Sequence, residues 1–543
     1  MPPSPAEPSP DAGRILTDQA EALLHDGRFE DAVKRATRAT ALGGELGRTW
    51  AILARAFMGM RDPISAYGAY GQALAHAALD RSELSREMGL LALSLGHADQ
   101  AESLLAAHLA QEPAATPETV AALAQAQTAI MAYDRAHATL KAALEANPEA
   151  PGLWLALGQL LCAEGRHGQA GVFFEEALRL DPALALARDG LADARLLGAG
   201  DAPRALAAGD AALAAADDSQ RAALAAHQAR RRLALGQLDA GWAQLAHASD
   251  VEVRAAAPAW DGQSTLRGRL LLMGEDSLTD ELMLAAAVPE LARSGPPLIL
   301  AVDPRWEALA RRSFAGVQVV PRLTRTLRGR RLAAAELDTP HLHAGELVGA
   351  WAPLRAVAGP RLATLAAPAP YLQPNPERVG HWRERLAGLG PGLKIGAVWP
   401  VATADGAEPW EAPPLAPLAA ALALPDVRVI ALRPREALSD VGWIDPPPEL
   451  QTESLDDLAA FAVTLDLVIG PPDALTYAAA ACGVATWLLA TPRHWARLGA
   501  DTYPWLPGAR VFCAAAPGDW TAALEALRAA LMTQLAAGGA AGP

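Results

Sequence analysis

The chain has 543 residues, 51% of them hydrophobic but only 5% aromatic, with 46 basic against 61 acidic side chains and a net charge of −15. That balance argues against a nucleic-acid partner, because phosphate backbones need a basic footprint, and it disfavours docking on an anionic membrane surface. Cys162, Cys482 and Cys513 lie far apart with no CxxC and no Cys/His ligand spacing, so neither a zinc site, nor any other metal, nor a disulfide framework is expected. Residues 1–13 are Pro-rich and polar and read as a disordered tail with no signal-peptide core. No segment reads as a transmembrane helix, and a cytoplasmic location is the default expectation.

Residues 14–250 carry an internal repeat. Ala32, Ala66, Ala101, Ala136, Ala170, Ala205 and Ala240 follow one another at 34 or 35 residues, each after a Gly or polar turn and each followed by apolar positions one and two helical turns on. A fixed period of this size is the signature of a solenoid of about seven helical hairpins. The fifth unit is the clearest, with Trp154, Leu157, Gly158, Leu161, Ala170, Phe174, Ala177 and Pro182; the second has Trp50, Leu53, Ala54, Phe57, Ala66, Tyr70 and Ala73. Leu157 and Leu161 lie one turn apart, as do Ala170 and Phe174, which gives each helix an apolar stripe. Gly158 and Ala170 are small where two helices cross, and Pro182 ends the second helix. These units resemble the tetratricopeptide repeat. The resemblance implies a superhelix whose groove binds a protein partner.

From residue 251 the period changes. A linker-like passage is followed by short apolar runs at Arg269–Met273, Pro297–Val302, Val317–Val320, Lys394–Trp399, Val427–Leu432, Leu465–Ile469 and Ala485–Leu489, separated by helical stretches. Strands alternating with helices predict parallel α/β architecture. The runs fall into two groups, 251–375 and 376–543, so the expectation is two Rossmann-like halves facing a cleft.

Several stretches in order resemble a glycosyltransferase domain of the heptosyltransferase and O-linked N-acetylglucosamine transferase type (GT-B), often fused to tetratricopeptide repeats. They are Pro258–Gly262, Gly268–Leu272, Glu275–Met283 (EDSLTDELM), Arg312–Phe314, Pro370–Leu372, Lys394–Trp399, Asp466–Gly483, Tyr503–Trp505 and Gly518–Trp520. The resemblance implies a nucleotide-sugar donor as substrate with no separate cofactor. It places Asp280 as the catalytic base. Thr279, Trp399, Asp473 and Tyr477 fall on donor-side motif positions, and His341 and His343 on a loop facing the acceptor or donor. Arg433 and Arg435 follow a parallel strand, where open α/β folds bind ligands, and are the cations expected to meet the nucleotide.

The departures bear on function. Thr279 stands where the family carries Gly, Pro472-Asp473 where it carries Asp-Thr, and Tyr477 where it carries His. A carboxylate at 473 would occupy the helix-start amides that should receive phosphate. Between Lys394 and Arg428 there is no Lys or Arg. The run Arg322, Arg325, Arg328, Arg330 and Arg331 reads as a solvated face, or as a surface that could hold an acidic partner. Two function classes follow. One is a protein O-glycosyltransferase, hexosyl- or nonulosonic-acid-transferring, with the acceptor presented by the repeats; a related bacterial arrangement makes flagellin the acceptor by analogy. The alternative is a catalytically inactive, glycosyltransferase-like adaptor that binds a protein partner. The persistence of a cleft-forming body and Asp280 favours the enzyme.

Overall fold

A computed structural model describes residues 10–76, 81–112, 116–249, 251–255, 257–260, 266, 268–327, 330–335, 348–361, 370–399, 409–432, 441–447, 450, 454–506 and 508–539. Fourteen helices between Pro10 and His247 form a tetratricopeptide-like helical array. They pair as Pro10–His25 with Phe29–Ala41, Leu46–Gly59 with Pro63–His76, Arg81–Ser94 with Ala98–Gln111, Pro117–Ala129 with Tyr133–Ala146, Pro151–Ala163 with His167–Leu180, Ala185–Asp193 with Ala202–Ala215, and Arg221–Ala234 with Leu238–His247. A π turn, Ala194–Gly198, extends the sixth hairpin's first helix. Ala32, Ala66, Ala101, Ala136, Ala170 and Ala205 each occupy the fourth position of a second helix and are fully buried. In the seventh hairpin that position belongs to Gly241, not Ala240: Ala240 is exposed, and a Cβ on Gly241 would stand 2.7 Å from Leu233. The repeat lengthens by one residue there, and the neighbouring alanine obscured the shift.

The chain divides into two compact units, and the division does not fall at residue 250. The first runs to Leu160 and includes Val172–Pro182 and Arg325–Leu332; the second takes Leu161–Gly171, Ala183–Thr324 and the chain from Ala333. Within the first unit, alanine, leucine and Tyr70 fill the space between helices. Gly158 lets Phe174 approach so closely that a Cβ would sit 2.6 Å from its ring.

The second unit holds two sheets, except for the Arg325–Leu332 stretch of one of them, which the first unit takes. One has the order β1-β5-β4-β3-β2-β6, from β1 (Val251–Val253), β2 (Arg269–Met273), β3 (Leu298–Val302), β4 (Gln318–Leu327), β5 (Arg330–Ala335) and β6 (Val348–Pro353). The other has the order β11-β10-β9-β7-β8, from β7 (Leu393–Ala397), β8 (Val427–Ala431), β9 (Leu467–Gly470), β10 (Thr486–Ala490) and β11 (Arg510–Cys513). Strands β2, β3, β4 and β6 run parallel, as do all five of the second sheet. The buried strands are continuous apolar runs, as a sheet covered on both faces requires. In each sheet the strand order reverses at the strand next to one edge, β2 beside β6 in one and β7 beside β8 in the other. Strands β1, β5, β6 and β11 carry no such run: β5 opens on two arginines, and β6 (VGAWAP) is built of small residues.

The last repeats belong to this body. Ala229, Leu233, Trp242 and Leu245 share one core with β2, β3, β6 and β10. Trp242 stands edge-on between Trp495 (6.2 Å) and Trp505 (6.0 Å), and Gly359 leaves room for its indole. Among the described residues no helix is long and apolar enough to cross a membrane.

Candidate functional site

The turns that leave β2, β9 and β10 at their carboxyl ends converge in the second unit. Two short helices start there, Leu278–Ala285 after β2 and Ala474–Ala481 after β9. They pack on each other through Met283 and Tyr477, whose hydroxyl lies 3.5 Å from the Met283 sulfur. Beside them is a cavity of about 340 Å³. Its α/β walls carry Thr279, Asp280, Asp473, Tyr477, Arg493 and His494. Repeat helices complete it with His167, Asp193, His227, Arg230 and Arg231, and Trp410 and Glu411 stand at its edge. Such a place, outside strand ends near a reversal of strand order, is where open parallel sheets bind ligands.

Asp280 sits in the first turn of its helix, which Ser277 caps through the Asp280 amide. Its side chain is mostly buried and receives Arg230 Nη2 at 2.8 Å. The Arg230 guanidinium lies over the Trp495 ring at 5.5 Å, and its Nε is buried with no hydrogen-bond partner among the described residues. Next to it Arg231 is almost fully buried and committed: Nη1 donates to Asp189 at 2.6 Å and Nε to Asp193 at 2.7 Å. Burial pushes the Asp189 carboxyl up, but His227 and Arg231 outweigh it and hold it below the usual range.

His167 is 3% exposed, and neither ring nitrogen has a hydrogen-bond partner among the described residues. Its ring meets Trp410 edge-on at 4.7 Å. Burial pushes it down to about 4, so it is a neutral imidazole with one donor and one acceptor on the cavity wall. His494 Nδ1 accepts the Ala496 amide at 3.3 Å, and burial, with Arg230 and Arg497 nearby, lowers it to about 3.

A buried carboxylate layer stands behind Asp280. Glu281 Oε1 accepts from the Asp303 amide (2.8 Å) and Trp306 Nε1 (2.5 Å); burial raises the group to about 7 despite Arg322. Glu275 takes the Arg355 amide at 2.8 Å and its guanidinium. Arg322 is buried and bonds Asp276 at 3.0 Å and the Glu275 carbonyl, so this member of the basic run is not on a solvated face. Local charge pairing decided that, and the run of arginines alone does not show it.

The predicted site residues separate. Thr279, Asp280, Asp473 and Tyr477 line the cavity together. Asp473 caps its helix, with Oδ1 accepting the Leu475 amide at 2.8 Å. Tyr477 is fully buried, and its phenol is pushed up by burial first and by Asp280 second. Trp399 is not on the cavity: it is buried against Trp443, ring centres 5.2 Å apart, with Ala431 and Leu415. Its strand edge packs inward because aromatic area there has a hydrophobic neighbour. Arg433, Arg435, His341 and His343 lie outside the described residues. Sequence reasoning missed His167, Arg230, Arg231, Arg493 and His494. The one available signal was Arg230-Arg231-Arg232 in a helix whose repeat equivalents are alanine-rich. Among the described residues no group of three or more His, Cys, Asp or Glu side chains stands together as a metal site would need.

No family model matches the chain. Among solved structures it is similar to a tetratricopeptide repeat protein of Parabacteroides merdae (16% identity, 44% of this chain, 92% of that one, TM-score 0.39). It is also similar to a thermophilic tetratricopeptide protein of Thermus thermophilus (22%, 33% and 98%, TM-score 0.29) and to PilW, a type IV pilus biogenesis factor (18%, 38% and 94%, TM-score 0.31). Over 532 residues it is 32% identical to Protein FlbA of Caulobacter vibrioides, an alignment that takes in 93% of this chain and 87% of that protein. At that identity over nearly the whole of both lengths, the chain belongs to the FlbA family.

Proposed function

We propose that the protein is a GT-B-like glycosyltransferase that moves a sugar from a nucleotide-activated donor to a Ser or Thr hydroxyl of a protein acceptor presented by the repeats. The observation that carries this reading is the cavity at the carboxyl ends of β2, β9 and β10, with Asp280 on its wall and arginine beside it. The acceptor oxygen attacks the anomeric carbon while the bond from that carbon to the donor phosphate breaks. Asp280 takes the hydroxyl proton, and the phosphate leaves with the bonding electrons. Flagellin is the acceptor that the family resemblance suggests. The second reading, an inactive adaptor, is favoured by one feature: Asp473 holds a helix-start amide that a donor phosphate would use.

Asp280→Asn separates the two. Asn keeps the shape but cannot take the proton, so glycosylation of the acceptor should fall by roughly 10²–10⁴-fold while the chain stays folded and still captures its partner. Full glycosylation by a folded D280N chain, read by intact mass of the acceptor, sinks the proposed role of Asp280. Absence of any modification by the wild-type chain together with intact partner capture supports the adaptor.

A further inference from the structure

We propose that Arg230, a repeat-array side chain, is the cation that receives the donor phosphate, and that it exchanges Asp280 for that phosphate when the donor binds. The proposal rests on the transferase reading above and gives it a cation among the described residues, Arg433 and Arg435 lying outside them. The α/β body has no Lys or Arg between Lys394 and Arg428, where the resemblance implies cations. Among the described arginines on the cavity, Arg231 is bound to Asp189 and Asp193, and Arg493 is exposed at the rim. Arg230 is different. One nitrogen is on Asp280 at 2.8 Å, and its buried Nε has no hydrogen-bond partner among the described residues. The Trp495 face supports the guanidinium plane without using a donor. A guanidinium has five donors in a fixed fork suited to a phosphate.

The pair also stands between two spaces. Arg230, Ser277, Asp280 and Trp495 line both the cavity described above and a second one of about 290 Å³ that reaches Ser249, Asp276 and Arg355. Moving Arg230 onto a phosphate would leave the Asp280 carboxylate facing the other space, where an acceptor hydroxyl can approach. The chemistry then reinforces the exchange. As the acceptor proton moves to Asp280, that group becomes neutral and no longer competes for Arg230. At the same moment the departing phosphate gains the negative charge that Arg230 meets. Of the other carboxylates on the cavity, Asp193 is held by Arg231 and Asp473 by a backbone amide, and Glu411 is the third.

Calorimetry on the full chain tests this, with UDP-, ADP-, GDP- and CMP-linked sugars and with pyrophosphate as the bare probe. For whichever donor the wild type binds, Arg230→Gln should weaken binding by about 10- to 100-fold, the loss of a charge-assisted contact. Arg230→Lys should recover part of it. Asp280→Asn should bind the same donor about threefold tighter, because Arg230 no longer has to be withdrawn from a carboxylate. A merely structural ion pair predicts weaker or equal binding in D280N. If R230Q does not fold, as read by thermal unfolding, the D280N result decides alone. Equal affinity in wild type and R230Q, or no gain in D280N, overturns the exchange and leaves the transferase reading standing. A wild-type chain that binds neither any donor nor pyrophosphate overturns both.

Discussion

In the hairpins of the first unit the motif alanines are fully buried, and the buried polar side chains include no Asp, Glu, Lys or Arg: they are Thr17 bonded to Thr49 at 2.8 Å, Ser85, His108, Thr119 and Gln127. In the second unit, whose last hairpins follow the same period, Asp189, Arg231, Glu275, Glu281, Arg322 and Arg497 are buried as well. The difference separates two uses of one repeat. Hairpins stabilised by small apolar residues need only fit their neighbours, so their outward positions are free to serve a partner. Hairpins with buried charge give up part of that simplicity. Desolvating ions is unfavourable unless each is paired, and such pairs are kept where they set geometry. Here the pairs fix the helix that carries Arg230 beside Asp280.

The largest test of the contrast is Arg231→Ala. It would leave Asp189 buried with only His227 beside it, and should cost about 3–5 kcal/mol in urea unfolding of the full chain. A cost under about 1 kcal/mol would mean that water reaches Asp189 and that the late repeats are held as the early ones are. Next in size is Gly158→Leu in the first unit, where the new side chain meets Phe174. Overpacking of this kind should cost about 1–3 kcal/mol, seen as a lower denaturation midpoint, while the Arg230–Asp280 pair in the second unit is left intact. The smallest effect is expected at the displaced motif position. Ala240→Lys is exposed and should change stability by less than about 0.5 kcal/mol. A loss as large as that of the Gly158 variant would restore Ala240 as the packed residue and remove the one-residue shift to Gly241.

Much of the fold was legible because it repeats a local rule. The alanine period located all seven second helices, and seven apolar runs located seven of the eleven strands. The remaining four are edge or small-residue strands whose pairing depends on a neighbour distant in sequence. The candidate site was legible only in part. Thr279, Asp280, Asp473 and Tyr477 converge on one cavity, and each follows a strand end or starts a helix, which local pattern marks. Trp399 also follows a strand end and yet turns into packing, because Trp443 fills the space beside it.

The sequence by itself determined the seven hairpins, the presence of parallel α/β structure after them, and the helix-start position of Asp473. These depend on spacing and on residue type within one turn or one strand. Only the tertiary structure decided that the late repeats are part of the α/β body, and that Arg230 reaches Asp280 from 50 residues away. It alone placed His167, whose ring nitrogens have no hydrogen-bond partner among the described residues, on the same cavity. Ion pairs and cavities form between elements whose approach is set by the burial of Trp242, Leu233 and their neighbours, and burial has no period that a sequence can display.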